Sequence, residues 1–241
     1  LSNEEVIYKD TKGFLWHFRY PLLDGSGHLV VATTRPETML GDTGVAVNPK
    51  DKRYQSLVGK TVILPITNRE IPIFSDEYVD MEFGTGCVKV TPAHDSNDFD
   101  MGQRNNLDII NIMNPDASLN KNVPVQYQGL HRNKARKQVI DELESLGLLD
   151  KIEDYSHQVG YSERSDAIVE PYLSEQWFLK MKEIAKPALK AVHDGEVTFY
   201  PERWTKIYNH WLNNITDWCI SRQLWWGHRI PVWYKGDQIY C

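Results

Sequence analysis

A chain of 241 residues can close one large core or two smaller ones, and 41% hydrophobic with 25% charged residues is the balance of a folded globular protein. No apolar run approaches the length of a bilayer span. Three widely separated cysteines, Cys87, Cys219 and Cys241, offer neither a disulfide framework nor a Cys-x-x-Cys metal knuckle, which favours a reducing, cytoplasmic setting. A net charge of −6 argues against indiscriminate polyanion binding but leaves room for a local basic patch.

The sequence opens at Leu1 without an initiator methionine or signal peptide and closes at Cys241 inside an expected hairpin over 232–241, so a piece of a longer chain is expected. Residues 1–24 read as a short capped turn and a strand over 14–20, followed by the turn Asp24-Gly-Ser-Gly27. The next strand, 29–34, is apolar and β-branched and runs into Thr33-Thr-Arg-Pro-Glu-Thr38. Pro36 stops the ladder, which puts Thr33 and Thr34 at a strand end, Arg35 at the break, and Glu37 and Thr38 in the turn beyond. Threonine-rich strands are also ordinary β-propensity, and an Arg-Glu pair is also an ordinary surface ion pair. Short strands follow at 44–47, 61–64, 70–74 and 77–80, broken at Asn48-Pro49, Gly59, Pro65 and Asn68-Arg69. This spacing predicts a closed or nearly closed antiparallel β-structure.

The stretch Phe83-Gly-Thr-Gly-Cys-Val-Lys-Val-Thr-Pro-Ala-His-Asp-Ser-Asn-Asp-Phe99 packs a turn, a strand and a helix start into seventeen residues. Gly84 and Gly86 make the turn, and 87–91 alternates as a strand that Pro92 ends. A period of two sends Val88 and Val90 to the core and Cys87, Lys89 and Thr91 to the other face. Asp95 or Ser96 caps a helix running to about Asn105, so His94, Asp95 and Asp98 gather at its N-terminus. An N-cap with a second acid in the first turn is equally ordinary helix chemistry. The three lack a fourth strong ligand, and no metal is expected there.

A second helix is expected over 133–146, with Val139, Leu143 and Leu146 on one face and Gly147 as its stop. His131, Arg132, Lys134, Arg136 and Lys137 crowd its first turns, the sign of charge that a helix N-terminus disfavours. This hints at a phosphate partner; a solvated basic face is the other reading. Composition changes near 150–155. Seven of eight tryptophans lie beyond it, and Trp204, Trp211, Trp218 and Trp225 recur every seven residues, predicting an aromatic stripe along a helix opened by Pro201-Glu202.

Taken together, Thr33-Thr-Arg-Pro-Glu-Thr-Met-Leu-Gly-Asp-Thr43 and the 83–99 stretch resemble the editing domain of class I aminoacyl-tRNA synthetases. The valine-type branch is the nearest in form, through Glu37-Thr-Met-Leu, Val47-Asn-Pro-Lys-Asp51 and Lys89-Val-Thr91. The segment from Trp218 to Tyr234 resembles the return of such a chain into its nucleotide-binding catalytic domain. Neither adenylate-forming signature of the class, His-x-Gly-His or Lys-Met-Ser-Lys-Ser, occurs in these residues. Where some relatives carry a zinc knuckle, this chain has Gly160-Tyr-Ser-Glu-Arg-Ser165, and no zinc is expected.

The expected fold is therefore α+β: a connecting strand segment over 1–24, an antiparallel, barrel-like editing core with peripheral helices over 25–155, and a mostly helical, Trp-rich connecting segment over 156–241. The resemblance implies hydrolysis of a threonyl ester mischarged onto the valine-accepting tRNA, with isoleucine- or leucine-type editing, or a tRNA 3′-end module inactive by itself, as alternatives. A hydrophobic pocket rejects an added hydroxyl only weakly, so a second site must select for it. Lys89, Thr91 and Asp98 supply the donors and acceptors. By resemblance Asp98 also anchors the α-ammonium, while Arg35, Thr38, His94 and Asp95 surround the terminal adenosine and ester. Hydrolysis by a positioned water is expected, with the hydroxyls of Thr33 and Thr34 or backbone amides polarising the carbonyl and Asp95, His94 or a substrate hydroxyl taking the proton. Arg132, Lys134, Arg136 and Lys137 are the candidates for tRNA phosphates. No cofactor is expected for this piece, ATP and magnesium for the parent synthetase, and a monomer for the assembly.

Overall fold

The structure, a computed structural model, describes residues 5–222 and 226–241. The expected capped turn at the start falls partly outside them, and so does Trp225, the last member of the heptad-spaced series. The chain divides into two compact units, one of Ile7–Leu173 and one of Leu1–Val6 with Ser174–Cys241. Among the described residues no helix is long and apolar enough to cross a membrane.

In the larger unit, β1 (Val6–Pro21) pairs antiparallel with β2 (His28–Thr33), from Trp16 opposite Thr33 to Pro21 opposite His28. The Asp24 carboxylate accepts the Ser26 N–H at 2.9 Å and closes the connecting turn. On its other side β1 meets β7 (Leu149–Ser162), so the expected composition break at 150–155 lies inside a strand. Cross-strand pairs Arg19–Asp150 and His17–Glu153 fasten the two. β1 begins well before residue 14; its first half carries mostly exposed side chains, which give periodicity nothing to detect.

The second sheet has the order β4 (Thr61–Leu64), β5 (Arg69–Ser75), β3 (Gly44–Val47), β6 (Cys87–Val90). β4–β5 and β3–β6 are antiparallel, but β3–β5 is parallel, against expectation. After β3 the chain forms β4 at the far edge and returns as β5 in the slot left between them. Among the described residues no closed barrel is formed. Among the described residues the sheets meet at a corner, where Leu22 bridges Val62 and the Leu23 N–H reaches Thr61 O, while β2 packs beside β6 without a ladder. The strand expected at 77–80 is a turn: Asp76 and Asp80 accept from the N–H groups of Tyr78 and Glu82, competing with any ladder.

The main core joins Phe18 and Tyr20 of β1, Leu29 and Val31 of β2, Val45 and Val47 of β3, and Ile71 and Ile73 of β5. Each such side chain contributes about 1.5–3 kcal/mol by leaving water. α2 (Arg132–Ser145) covers it with Ala135, Val139 and Leu143, spaced i, i+4, i+8. Leu146, expected on that face, is 54% exposed because the helix has ended there. Gly147, at φ 68°, lets Leu148 N–H return to Leu143 O.

A second cluster, Ala46, Val79, Val90 and Met101, lies between the β3–β6 pair and α1 (Ser96–Arg104). β6 is thus covered on both faces, and the side carrying Cys87, Lys89 and Thr91 is buried as well. The turn before it needs Gly86, whose φ is 77° and whose added Cβ would sit 2.5 Å from the Arg53 guanidinium.

The smaller unit holds a short pair, β8 (Phe178–Leu179) with β9 (Trp218–Cys219), two packed helices, α3 (Met181–His193) and α4 (Arg203–Asn213), and the hairpin β10 (Trp233–Lys235) with β11 (Gln238–Tyr240). The expected tryptophan stripe is broken: Trp204 and Trp211 lie on α4, 45% and 71% exposed, and Trp218 is in β9.

Candidate functional site

Two chain corners make the site. β2 ends at Thr33 and the chain passes into a 3-10 turn, Pro36–Gly41, that is buried along its whole length. β6 ends at Val90 and passes through Thr91 and Pro92 to α1. Arg35 joins the corners by donating from Nη1 to His94 O at 2.8 Å. The Thr33 hydroxyl accepts the Arg35 N–H at 3.0 Å, and the Thr38 hydroxyl donates to Arg35 O at 2.9 Å. Thr34 is half-buried beside them.

The acids expected together have parted roles. Asp95 is exposed and caps α1, accepting from Asn97 N at 2.9 Å and Asp98 N at 3.3 Å. Asp98 is 8% exposed, and its Oδ2 accepts the Thr91 N–H at 2.8 Å. Burial pushes its carboxyl up to about 7, reinforced by Asp95 and opposed by Lys89. The His94 ring is buried with both nitrogens engaged: Nε2 accepts the Ile112 N–H at 3.0 Å, which leaves the proton on Nδ1, facing Pro171 O at 3.3 Å. Burial lowers its pKa to about 4. A neutral ring spent on two backbone groups is a strut, so the expectation of His94 as proton acceptor finds no free nitrogen.

Lys89 and Thr91 point at Asp42, which sequence reasoning quoted but gave no role. Lys89 Nζ donates to Asp42 Oδ1 at 3.1 Å and to the Thr91 hydroxyl at 2.5 Å. That hydroxyl donates to Asp42 Oδ1 at 2.5 Å, and Tyr20 OH donates to Oδ2 at 2.8 Å. All four side chains are buried. Burial raises the Asp42 pKa against the pull of Lys89, and raises that of Tyr20 with the help of the Asp42 charge.

The basic turn of α2 is divided. Arg136 makes a bidentate pair with the fully buried Glu37, both bonds at 2.7 Å. Arg132 and Arg35 pair with the two oxygens of Glu170. Lys134 and Lys137 stay exposed on the outer face. Arg132 and Arg136, expected to meet phosphate, are occupied by carboxylates instead. Glu37 was legible as a turn acid; Glu170, 135 residues from Arg35, left no trace in the pattern.

The whole chain, residues 1–241, matches the family model "tRNA synthetases class I (I, L, M and V)". The chain belongs to the class I tRNA synthetase family. It is 62% identical to a valine–tRNA ligase of Anoxybacillus flavithermus and 63% identical to one of Geobacillus stearothermophilus, in both cases over 98% of this chain. The valine–tRNA ligase of Bacillus subtilis is 60% identical over the same share. The chain spans 27% of the length of each of these relatives. A LeuRS–tRNA–LeuAMS complex from Agrobacterium radiobacter K84 aligns with 63% of this chain and 20% of its own, at 21% identity and a TM-score of 0.45.

Proposed function

We propose that this chain is the proofreading part of a valine–tRNA ligase and hydrolyses threonyl esters mischarged onto the valine-accepting tRNA. The observation that carries this reading is Asp98: a buried carboxyl with a pKa about 7, held by the Thr91 N–H next to Lys89. Its ionised form anchors the substrate α-ammonium, beside the Lys89 and Thr91 groups that meet the threonine hydroxyl. Valine brings no partner for these groups and leaves them desolvated, at roughly 1–3 kcal/mol for each neutral group.

The ester is already reactive, and the site needs to hold water and carbonyl in line. Thr33 accepts from Arg35 N and keeps its own proton to donate to the carbonyl oxygen as charge develops there, with Thr34 beside it. Water adds to the carbonyl carbon, the bond to the ribose oxygen breaks, and that oxygen leaves with a proton. With His94 spent on backbone groups and Asp95 on its helix cap, Asp98 or a substrate hydroxyl handles the proton. The tRNA phosphates fall to Lys134 and Lys137, the exposed cations of α2. Incubation with threonyl, valyl and isoleucyl esters of their tRNAs tests the reading. Fastest loss of threonine supports it; equal rates, or tRNA binding without ester loss, contradict it.

A further inference from the structure

The buried cluster under the strand end allows a proton count that goes beyond the reading above while resting on it. Asp42 has no exposed surface, and Lys89, Thr91 and Tyr20 all donate to its two oxygens, the arrangement of a carboxylate that carries no proton. Its backbone is fixed too. The Asp42 carbonyl accepts from Arg69 Nη1 at 2.9 Å, and the following N–H, of Thr43, is bound to Val90 O at 3.0 Å.

Since Asp42 can only accept, the single hydroxyl proton of Thr91 is committed to it. Thr91 therefore has no proton left for a ligand and offers only its remaining lone pair. Lys89 has three N–H donors, of which Asp42 takes one and Thr91 another, leaving one. On the editing reading, the pair then offers one donor and one acceptor side by side, with the Asp98 carboxylate adjoining through the Thr91 N–H. A hydroxyl, which gives one proton and accepts another, matches this pair; a methyl matches neither.

We propose that Asp42 is the positioning residue that sets the direction of the Lys89 and Thr91 hydrogen bonds and so makes the site selective for a hydroxylated amino-acid side chain. Asp42 touches no substrate. It acts through the two groups that do, and Tyr20 holds its second oxygen so that the carboxylate cannot turn away.

The experiment measures kcat and KM of the chain for threonyl and valyl esters of the valine-accepting tRNA, in wild type, Asp42→Ala and Tyr20→Phe, with circular dichroism to verify folding. Alanine removes both acceptor oxygens, releasing the Thr91 proton and leaving Lys89 without a counter-ion. The expected result for Asp42→Ala is a fall of at least tenfold in the threonine-to-valine ratio of kcat/KM, mainly through a higher KM for threonine. Tyr20→Phe, which frees the carboxylate to rotate, should lower the ratio severalfold. A residue that only supports the fold would lower melting temperature without moving this ratio. Folded Asp42→Ala at the wild-type ratio overturns the proposal; if that variant does not fold, Tyr20→Phe at the wild-type ratio does so. Loss of threonine preference in the wild type itself would sink the editing reading and this inference with it, and is seen before any variant is compared.

Discussion

The β6–α1 corner and the first turns of α2 look alike on paper, each a crowd of charges at a helix start, and the fold treats them in opposite ways. At the corner, Lys89, Thr91 and Asp98 are buried and interlocked, and Asp98 is left with a carboxyl near neutrality. In α2, two of the four candidate cations are consumed by Glu37 and Glu170 and two face solvent. Charge written in a sequence is not charge available to a ligand. What decides is whether a carboxylate from elsewhere in the chain reaches it first.

The largest expected effect that sharpens this contrast is at Asp98. Asp98→Asn should reduce threonyl-ester hydrolysis at least a hundredfold and at the same time stabilise the fold at pH 8. A buried acid whose folded pKa is raised to about 7 favours folding fully only below its unfolded value near 4, and that stability is lost as pH rises through 7. Removing the charge should therefore gain on the order of a few kcal/mol at pH 8, with the gap to wild type closing towards pH 4. His94 slopes the other way: its folded pKa, lowered to about 4, means stability is lost as pH falls from about 6.5 to 4. In wild type the two slopes oppose each other. In Asp98→Asn the acid-side loss from His94 should stand uncovered in urea titrations, and a variant less stable than wild type at pH 8 would break the account.

Next in size is Glu37→Gln, which leaves the Arg136 guanidinium without its buried counter-ion. A loss of about 3 kcal/mol in urea unfolding is expected; a change below about 0.5 kcal/mol would mean that α2 is not held by this pair. Asp95→Ala should cost about 1 kcal/mol, the worth of a helix cap, with ester hydrolysis within a few-fold of wild type. Abolished hydrolysis at an unchanged melting temperature would show that the two aspartates share a role. Smallest, Lys134→Ala with Lys137→Ala should weaken tRNA binding a few-fold and flatten its dependence on salt, by a slope of roughly 0.7 per lost contact with a single strand. An unchanged slope would remove the tRNA from this face of α2.

Much of this was legible because local chemistry and tertiary demand agreed. Residues 44–47 and 61–64 are β-branched runs between strong breakers, and the strands occupy those residues. The α1 start follows from Asp95 as cap, and Arg35 joins the two corner motifs that the sequence singled out. The misses share a cause, which is that alternation says which face a side chain takes but not what lies opposite. It could not reveal that β5 slots in parallel to β3, that the polar face of β6 is roofed by Asp42 and Tyr20, or that α4 ends before the tryptophan series does. Asp42, a lone acid between glycine and threonine, reads as a turn residue. Only its burial shows that three donors end on it.

The most direct test of the central claim is the pH profile of kcat/KM for threonyl-ester hydrolysis, measured from pH 5.5 to 8.5 in wild type and Asp98→Asn. This parameter reports ionisations of the free enzyme. Activity in the wild type should rise with a midpoint near 7 as Asp98 loses its proton, and that step should be missing from the residual activity of the variant. A wild-type profile without a step between pH 6 and 8, or the same step in both proteins, would show that the chemistry does not run through the buried carboxyl of Asp98.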